Sequence, residues 1–139
     1  MLHVEHTFPV PGSTVWQHLI DPALLATWWG PHGFTNVVDP WDLRVGGTYR
    51  ITMQPPRGEE FHLRGEFREV VPEERLVYTF IWEEPDPDDF PNEVTVTLPA
   101  RDDATVLSID HGPFKNEARR APPRGGWTDA MDKLEALLR

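Results

Sequence analysis

Side chains able to move protons, attack carbonyl carbons or hold metals are few in this chain, and their spacing argues against most such chemistry. Cysteine is absent, which removes disulfides, thiolate metal sites and thiol nucleophiles together. Ser13 and Ser108 are the only serines. Ser13 stands where a helix N-cap is expected, and strand alternation puts Ser108 on the face opposite His111, so no serine–histidine pair is expected. His3, His6, His18 and His32 lack the mutual spacing that would converge three or four ligands on zinc, so no metal and no cofactor is expected. His62 alternates with an apolar face and should point outward. His111 is the polar inward residue of most interest, because imidazole titrates near neutrality and can act as a base or a donor. Its place at a strand end beside Gly112 suits a bond to a backbone carbonyl equally well. Gly46-Gly47 superficially resembles a phosphate loop, but it precedes a strand and no Lys-Ser or Lys-Thr follows. It reads as a turn or bulge. The acidic, proline-broken run from Glu83 to Pro91 lacks the glycine a calcium loop requires. A solvated inter-strand loop explains it, with a mobile lid carrying Phe90 or weak cation binding as the other readings. Arg119 and Arg120 read as anion handles at a cavity mouth or as plain exposed residues.

Composition narrows the partners. The 139 residues fit one domain, 1–139, and 39% hydrophobic content with six Trp and seven Phe supports a packed core rather than disorder. The formal charge of −10 repels phosphate backbones and anionic lipid, so neither nucleic acid nor a membrane surface is expected as a partner. The start Met1-Leu2-His3-Val4-Glu5-His6 has no basic stretch followed by an apolar run, and no segment approaches the roughly 18 apolar residues of a membrane span. A cytoplasmic protein is expected. A homodimer through exposed Trp or Phe remains open.

The elements that must position these side chains follow from periodicity. Val4 to Phe8 alternates as a half-buried strand, closed by Pro9 and Pro11. A short helix capped by Ser13 carries Val15, Trp16, Leu19 and Ile20. A second begins at Asp21-Pro22, presents Leu24, Leu25, Trp28 and Trp29, and stops at Gly30-Pro31. Strands are then expected at Phe34–Val38, Gly47–Met53, Glu60–Val71, Leu76–Trp82, Glu93–Leu98 and Thr105–His111. Pro72-Glu73-Glu74-Arg75 and Arg101-Asp102-Asp103 supply tight turns, which implies antiparallel neighbours. Trp127, Ala130, Met131, Leu134, Leu137 and Leu138 repeat at helical spacing, predicting a long amphipathic helix from near Pro123. Gly125 and Gly126 in its first turns would permit close backbone approach.

This order, with Val15-Trp16, Asp21-Pro22, Trp28-Trp29-Gly30-Pro31, Gly33-Phe34, Asp42-Leu43-Arg44-Val45-Gly46-Gly47, Tyr49-Arg50, the run Gly65 to Pro72, Arg75 to Thr79, Thr105-Val106-Leu107, His111-Gly112 and Gly126-Trp127, resembles the START-like (SRPBCC) superfamily. The branch it is similar to is named for activators of the ATPase of the ninety-kilodalton heat-shock chaperone. The resemblance implies an α+β helix-grip fold: a curved antiparallel sheet of about six or seven strands around a long C-terminal helix, with two short helices after the first strand. The stretch Arg119-Arg120-Ala121-Pro122-Pro123 is more basic and proline-rich than the family pattern. On that fold, alternation turns Tyr49, Ile51, Phe61, Leu63, Phe67, Tyr78, Phe80, Trp82, Leu107, Ile109 and His111 inward, facing Met131 and Leu134. These side chains either line an apolar pocket or fill an ordinary core. Fold does not decide activity. The leading reading is noncatalytic binding or carriage of a small hydrophobic or aromatic ligand. A chaperone-associated or stress-related interaction module is one alternative. A small cyclase, aromatase or hydrolase using Tyr49, Tyr78, His111 and Arg50 is another, and the scarcity of catalytic groups leans against it.

Overall fold

The computed structural model describes residues 1–98 and 104–138, so the expected Arg101-Asp102-Asp103 turn lies outside the described residues. Ten elements follow in chain order: β1 (Leu2–Phe8), α1 (Gly12–Ile20), α2 (Pro22–Leu25), β2 (Thr35–Trp41), β3 (Thr48–Gln54), β4 (Phe61–Val71), β5 (Arg75–Trp82), β6 (Asn92–Thr97), β7 (Thr105–Gly112) and α3 (Glu117–Leu138). The strands form one sheet in the order β1-β7-β6-β5-β4-β3-β2, antiparallel at every pairing. This is the curved α+β helix-grip architecture, with β2 to β7 as a meander and β1 added to its far edge.

Helix ends account for most differences from the expected boundaries. Ser13 is not a cap: α1 starts earlier, with Thr14 and Val15 donating to the Pro11 carbonyl. Asp21 caps α2 as expected, its Oδ1 accepting from Ala23 N at 2.9 Å. That helix lasts only to Leu25, and because the chain then turns, Trp28 and Trp29 are both buried despite being adjacent. The last helix begins at Glu117 rather than near Pro123. Asn116 caps it through Oδ1 to Arg119 N at 3.0 Å, and Glu117 complements the positive end of the helix. Pro122 and Pro123 therefore fall inside α3. Its buried stripe is Trp127, Ala130, Met131, Leu134 and Leu138, whereas Leu137 is exposed. The close approach expected at Gly125 and Gly126 is absent: an added Cβ would meet nothing at Gly125 and only Pro31, at 3.9 Å, at Gly126.

Where the sheet bends, side chains replace part of the ladder. Between the pairs Arg64–Ile81 and Phe67–Tyr78, Glu66 N donates to Thr79 Oγ1 at 2.8 Å and the Tyr49 hydroxyl donates to the Thr79 carbonyl at 2.6 Å. The Tyr49 ring can reach that carbonyl because residue 65, opposite it in register, has no side chain. A Cβ on Gly65 would lie 2.0 Å from Thr79 O and 2.6 Å from Tyr49 Cε1. The bend thus packs Tyr49 against Phe67, Tyr78 and Trp41, with ring centroids 5.4 to 6.1 Å from its own.

Two glycine substitutions should then move stability in opposite directions. Gly65→Ala forces backbone apart and should cost at least about 2 kcal/mol. Gly125→Ala, at an exposed helical site with open space, should add up to about 1 kcal/mol through helix propensity. Urea unfolding curves measure both, and equal, small effects would refute this account of the bend.

Candidate functional site

The curved sheet and α3 do not close completely. A cleft of about 280 Å³ opens between the early turns of α3, the β5–β6 loop and the segment before β2. Its walls are Trp29, Phe34, Met53, Phe61, Phe80, Trp82, Phe114, Trp127 and Ala130, with Gly30, Pro31, Pro122, Pro123 and Gly126 leaving space. Phe90, 41% exposed, lines the side formed by the acidic loop. A larger, shallow groove of about 920 Å³ lies on the opposite face of the sheet, walled mainly by polar and charged side chains such as Arg64, Glu66, Glu93 and Asp110. The apolar cleft is the candidate site, because aromatic walls with a few polar groups are what a small-molecule site requires.

The polar center of the cleft is His111. Trp127 Nε1–H can only donate, and it lies 3.1 Å from His111 Nδ1, so that nitrogen is the acceptor. The ring proton is consequently on Nε2, which donates to Asn92 Oδ1 at 2.9 Å. Asn92 Nδ2 in turn donates to the Pro113 carbonyl at 3.2 Å. Phe80 and Phe114 pack on the imidazole with centroids 4.3 and 4.8 Å away. Burial pushes its pKa down to about 3, so the ring is neutral at physiological pH. It holds Trp127 in place; it does not offer a free base.

The wall opposite is fastened from α3. Lys133 Nζ donates to the carbonyls of Trp29 and Pro31, at 3.0 and 3.1 Å, and burial lowers its pKa. Asp129 Oδ2 accepts from His32 N at 3.1 Å. Trp29 consequently meets Trp127 edge-on, with centroids 5.2 Å apart.

The residues expected to face a ligand divide into three groups. Phe61, Phe80, Trp82 and His111 line the cleft. Tyr49, Ile51, Phe67, Tyr78 and Ile109 surround a separate void of only about 10 Å³, at the packed end of the sheet. Leu63 and Met131 are sealed in the core. Burial raises the pKa of both Tyr49 and Tyr78, so their phenols stay protonated. Arg50 forms a bidentate pair with Glu83, and of the four groups named for catalysis only His111 lines the cleft. Arg119 is committed to Asp86 and Asp89, and Arg120 to Glu117. Ser108 does face away from His111, toward Glu5. His62, Glu83 and Glu84 bring potential ligand atoms within 4.8 Å of one another, a grouping the spacing of the other histidines did not suggest. His62 already pairs with Glu84 at 2.7 Å, and Arg50 occupies Glu83. Sequence reasoning also missed Asn92, Phe114 and Trp127 as site residues. Recognizing Asn116 as a cap would have brought the start of α3 to the cleft.

His111 ties acid stability to the cleft. An unfolded imidazole titrates near about 6.5, whereas the folded one is held lower, so the native state binds fewer protons between the two values. Its contribution is complete above about pH 6.5 and is lost as pH falls toward about 3, at up to about 1.4 kcal/mol per pH unit. His111→Gln retains an acceptor for Trp127 and a donor for Asn92 but cannot titrate. The urea midpoint of this variant should fall less steeply than that of the wild type between about pH 6.5 and 4. Parallel declines would remove His111 as the linked group.

No helix among the described residues is long and apolar enough to cross a membrane. Comparison with curated proteins finds no match. Solved structures do match. The AHSA1 protein of Silicibacter pomeroyi is 26% identical with a TM-score of 0.84, covering 99% of this chain and 96% of that one. A protein from Chromobacterium violaceum is 25% identical with a TM-score of 0.83, covering 99% and 95%. DynU16, from the dynemicin biosynthetic locus, is 25% identical with a TM-score of 0.76, and the match covers 99% of this chain but 46% of that one. The family model described as Activator of Hsp90 ATPase homolog 1-like protein matches residues 9–139. The chain therefore belongs to the Activator of Hsp90 ATPase homolog 1-like family.

Proposed function

We propose that the chain, acting as one START-like domain, binds or carries a small hydrophobic molecule with an aromatic part in the cleft between sheet and α3. The observation that carries this reading is an open volume of about 280 Å³ walled by aromatic side chains, directly beside a core that is otherwise closed. Burial of an apolar ligand there is worth roughly 25 cal/mol per Å² removed from water, so even a one-ring compound gains several kcal/mol before its binding costs. Binding without turnover is favored because the nearest titratable ring, His111, has both nitrogens engaged and is held neutral. The likeness to a protein of a biosynthetic locus is compatible with small-molecule handling. A chaperone-associated role rests on the family name alone.

Gly126 gives a direct test. A side chain there would project beside Pro31 without a backbone clash, so Gly126→Leu should fill the cleft while preserving the fold. Against a panel of one- and two-ring aromatic compounds, a ligand at about a hundred times its dissociation constant raises stability by about 2.7 kcal/mol, a shift of several degrees. The wild type should show such shifts and Gly126→Leu should lose them. Shifts that survive in Gly126→Leu, or a wild type that responds to nothing in the panel, would overturn the assignment.

A further inference from the structure

The charge at the mouth of the cleft has a sign, and the apolar walls do not require it. Glu84, Asp86, Asp88 and Asp89 line the opening, against Lys115 and Arg119. Four carboxylates to two cations leave a formal excess of two negative charges among the lining side chains, with Glu84 hydrogen-bonded to His62 outside the cleft lining. Both cations are already engaged. Arg119 Nε and its terminal nitrogen reach Asp89 at 2.8 and 3.2 Å, and the same terminal nitrogen reaches Asp86 at 2.7 Å. Lys115 Nζ donates to Asp88 at 2.8 Å, which holds the Asp88 carboxyl below its ordinary range and ionized. An anion entering here would have to displace protein carboxylates from their partners.

The walls favor the opposite charge. Trp29, Trp82 and Trp127 are among the lining side chains, and indole is the ring that attracts a cation most strongly. Pro122 and Pro123 lack the N–H groups that would bond the carbonyls of Ala118 and Arg119 in a regular helix. Asn36 Oδ1, close to Gly30 in the wall, is buried without a partner among the described residues. The charged side chains lining this cleft are thus weighted toward carboxylates, and both cations are spent on them.

We infer that the ligand of this cleft is an organic cation, a protonated amine or quaternary ammonium joined to an apolar or aromatic body. The inference rests on the cleft reading above and specifies its ligand class. The body would occupy the aromatic pocket while the cationic head stays near the acidic loop, where desolvation is incomplete and attraction depends on ionic strength.

The test compares isosteres on the full chain. Phenyltrimethylammonium and tert-butylbenzene share shape and differ in charge; benzoate supplies the anion. Quenching of tryptophan fluorescence at low salt should show the cation binding at least about tenfold more tightly than the neutral compound, with benzoate weakest. Added salt should weaken the cation alone. Lys115→Met removes an exposed positive charge from the mouth, so the ratio of cation affinity to tert-butylbenzene affinity should rise several-fold. Asp88→Asn should act in the reverse sense. If tert-butylbenzene binds as well as the cation, or benzoate binds best, the charge inference fails while the cleft reading stands. If the cation binds Gly126→Leu as well as wild type, it sits elsewhere on an acidic surface and the inference fails too. If none of the three binds wild type, both readings fall.

Discussion

A neutral imidazole sealed beneath the middle of the last helix is the constraint around which this site is built. Both of its nitrogens must be satisfied, since an unpaired buried polar atom costs on the order of 1–3 kcal/mol. The solution draws on three elements: the indole of Trp127 from α3, the amide of Asn92 from β6, and His111 itself from β7. Each bond is directional, so helix and sheet meet in one rotation. That rotation places Trp127 edge-on to Trp29 and leaves Ala130 and Gly126 facing the gap. The cleft is what remains where small residues flank a large one that is already anchored elsewhere.

The opposite end of the grip shows the same sheet filled. There Tyr49 spends its hydroxyl on a strand carbonyl, Gly65 makes room for the ring, and Phe67, Tyr78 and Trp41 close around it. Only a void of about 10 Å³ is left, at the lower limit for a single water molecule. Bending the sheet therefore has two consequences that belong together. The concave face wraps one part of the helix tightly and must stand away from the other. Packed and open ends are two results of one curvature.

Legibility in the sequence followed the range of the forces involved. The strands were readable from alternation, because a half-buried pleat demands it residue by residue: Tyr49, Ile51 and Met53 are buried at successive odd positions of β3. The cap at Asp21 was equally local. Alternation could place Tyr49 and Phe80 on the same inner face, yet it could not say that one is locked in core and the other beside an opening. That difference depends on sheet curvature and helix rotation, which are nonlocal. The start of α3 was misread because two prolines look like a boundary. The Asn116 cap and the pairs Arg119–Asp89 and Arg119–Asp86 stabilize the turn ahead of them, and tertiary contact overrides the local signal.

That misread stretch and the cleft coincide, which changes what the net charge of the chain means. At the level of composition, −10 argues only against nucleic acid and anionic lipid surfaces as partners. In the fold, four acids belong to one loop that reaches the cleft mouth, and Arg119, on the first turn of α3, draws two of them into place. An early helical start is necessary for this, because a helix beginning at Pro123 would leave Arg119 in a loop without a fixed direction. The prolines that follow Arg119 line the same opening and withhold two backbone donors. Residues 115–123 therefore hold three of the four rim acids, Asp86, Asp88 and Asp89, through Lys115 and Arg119, so the charge at the cleft mouth is governed there rather than in the sheet.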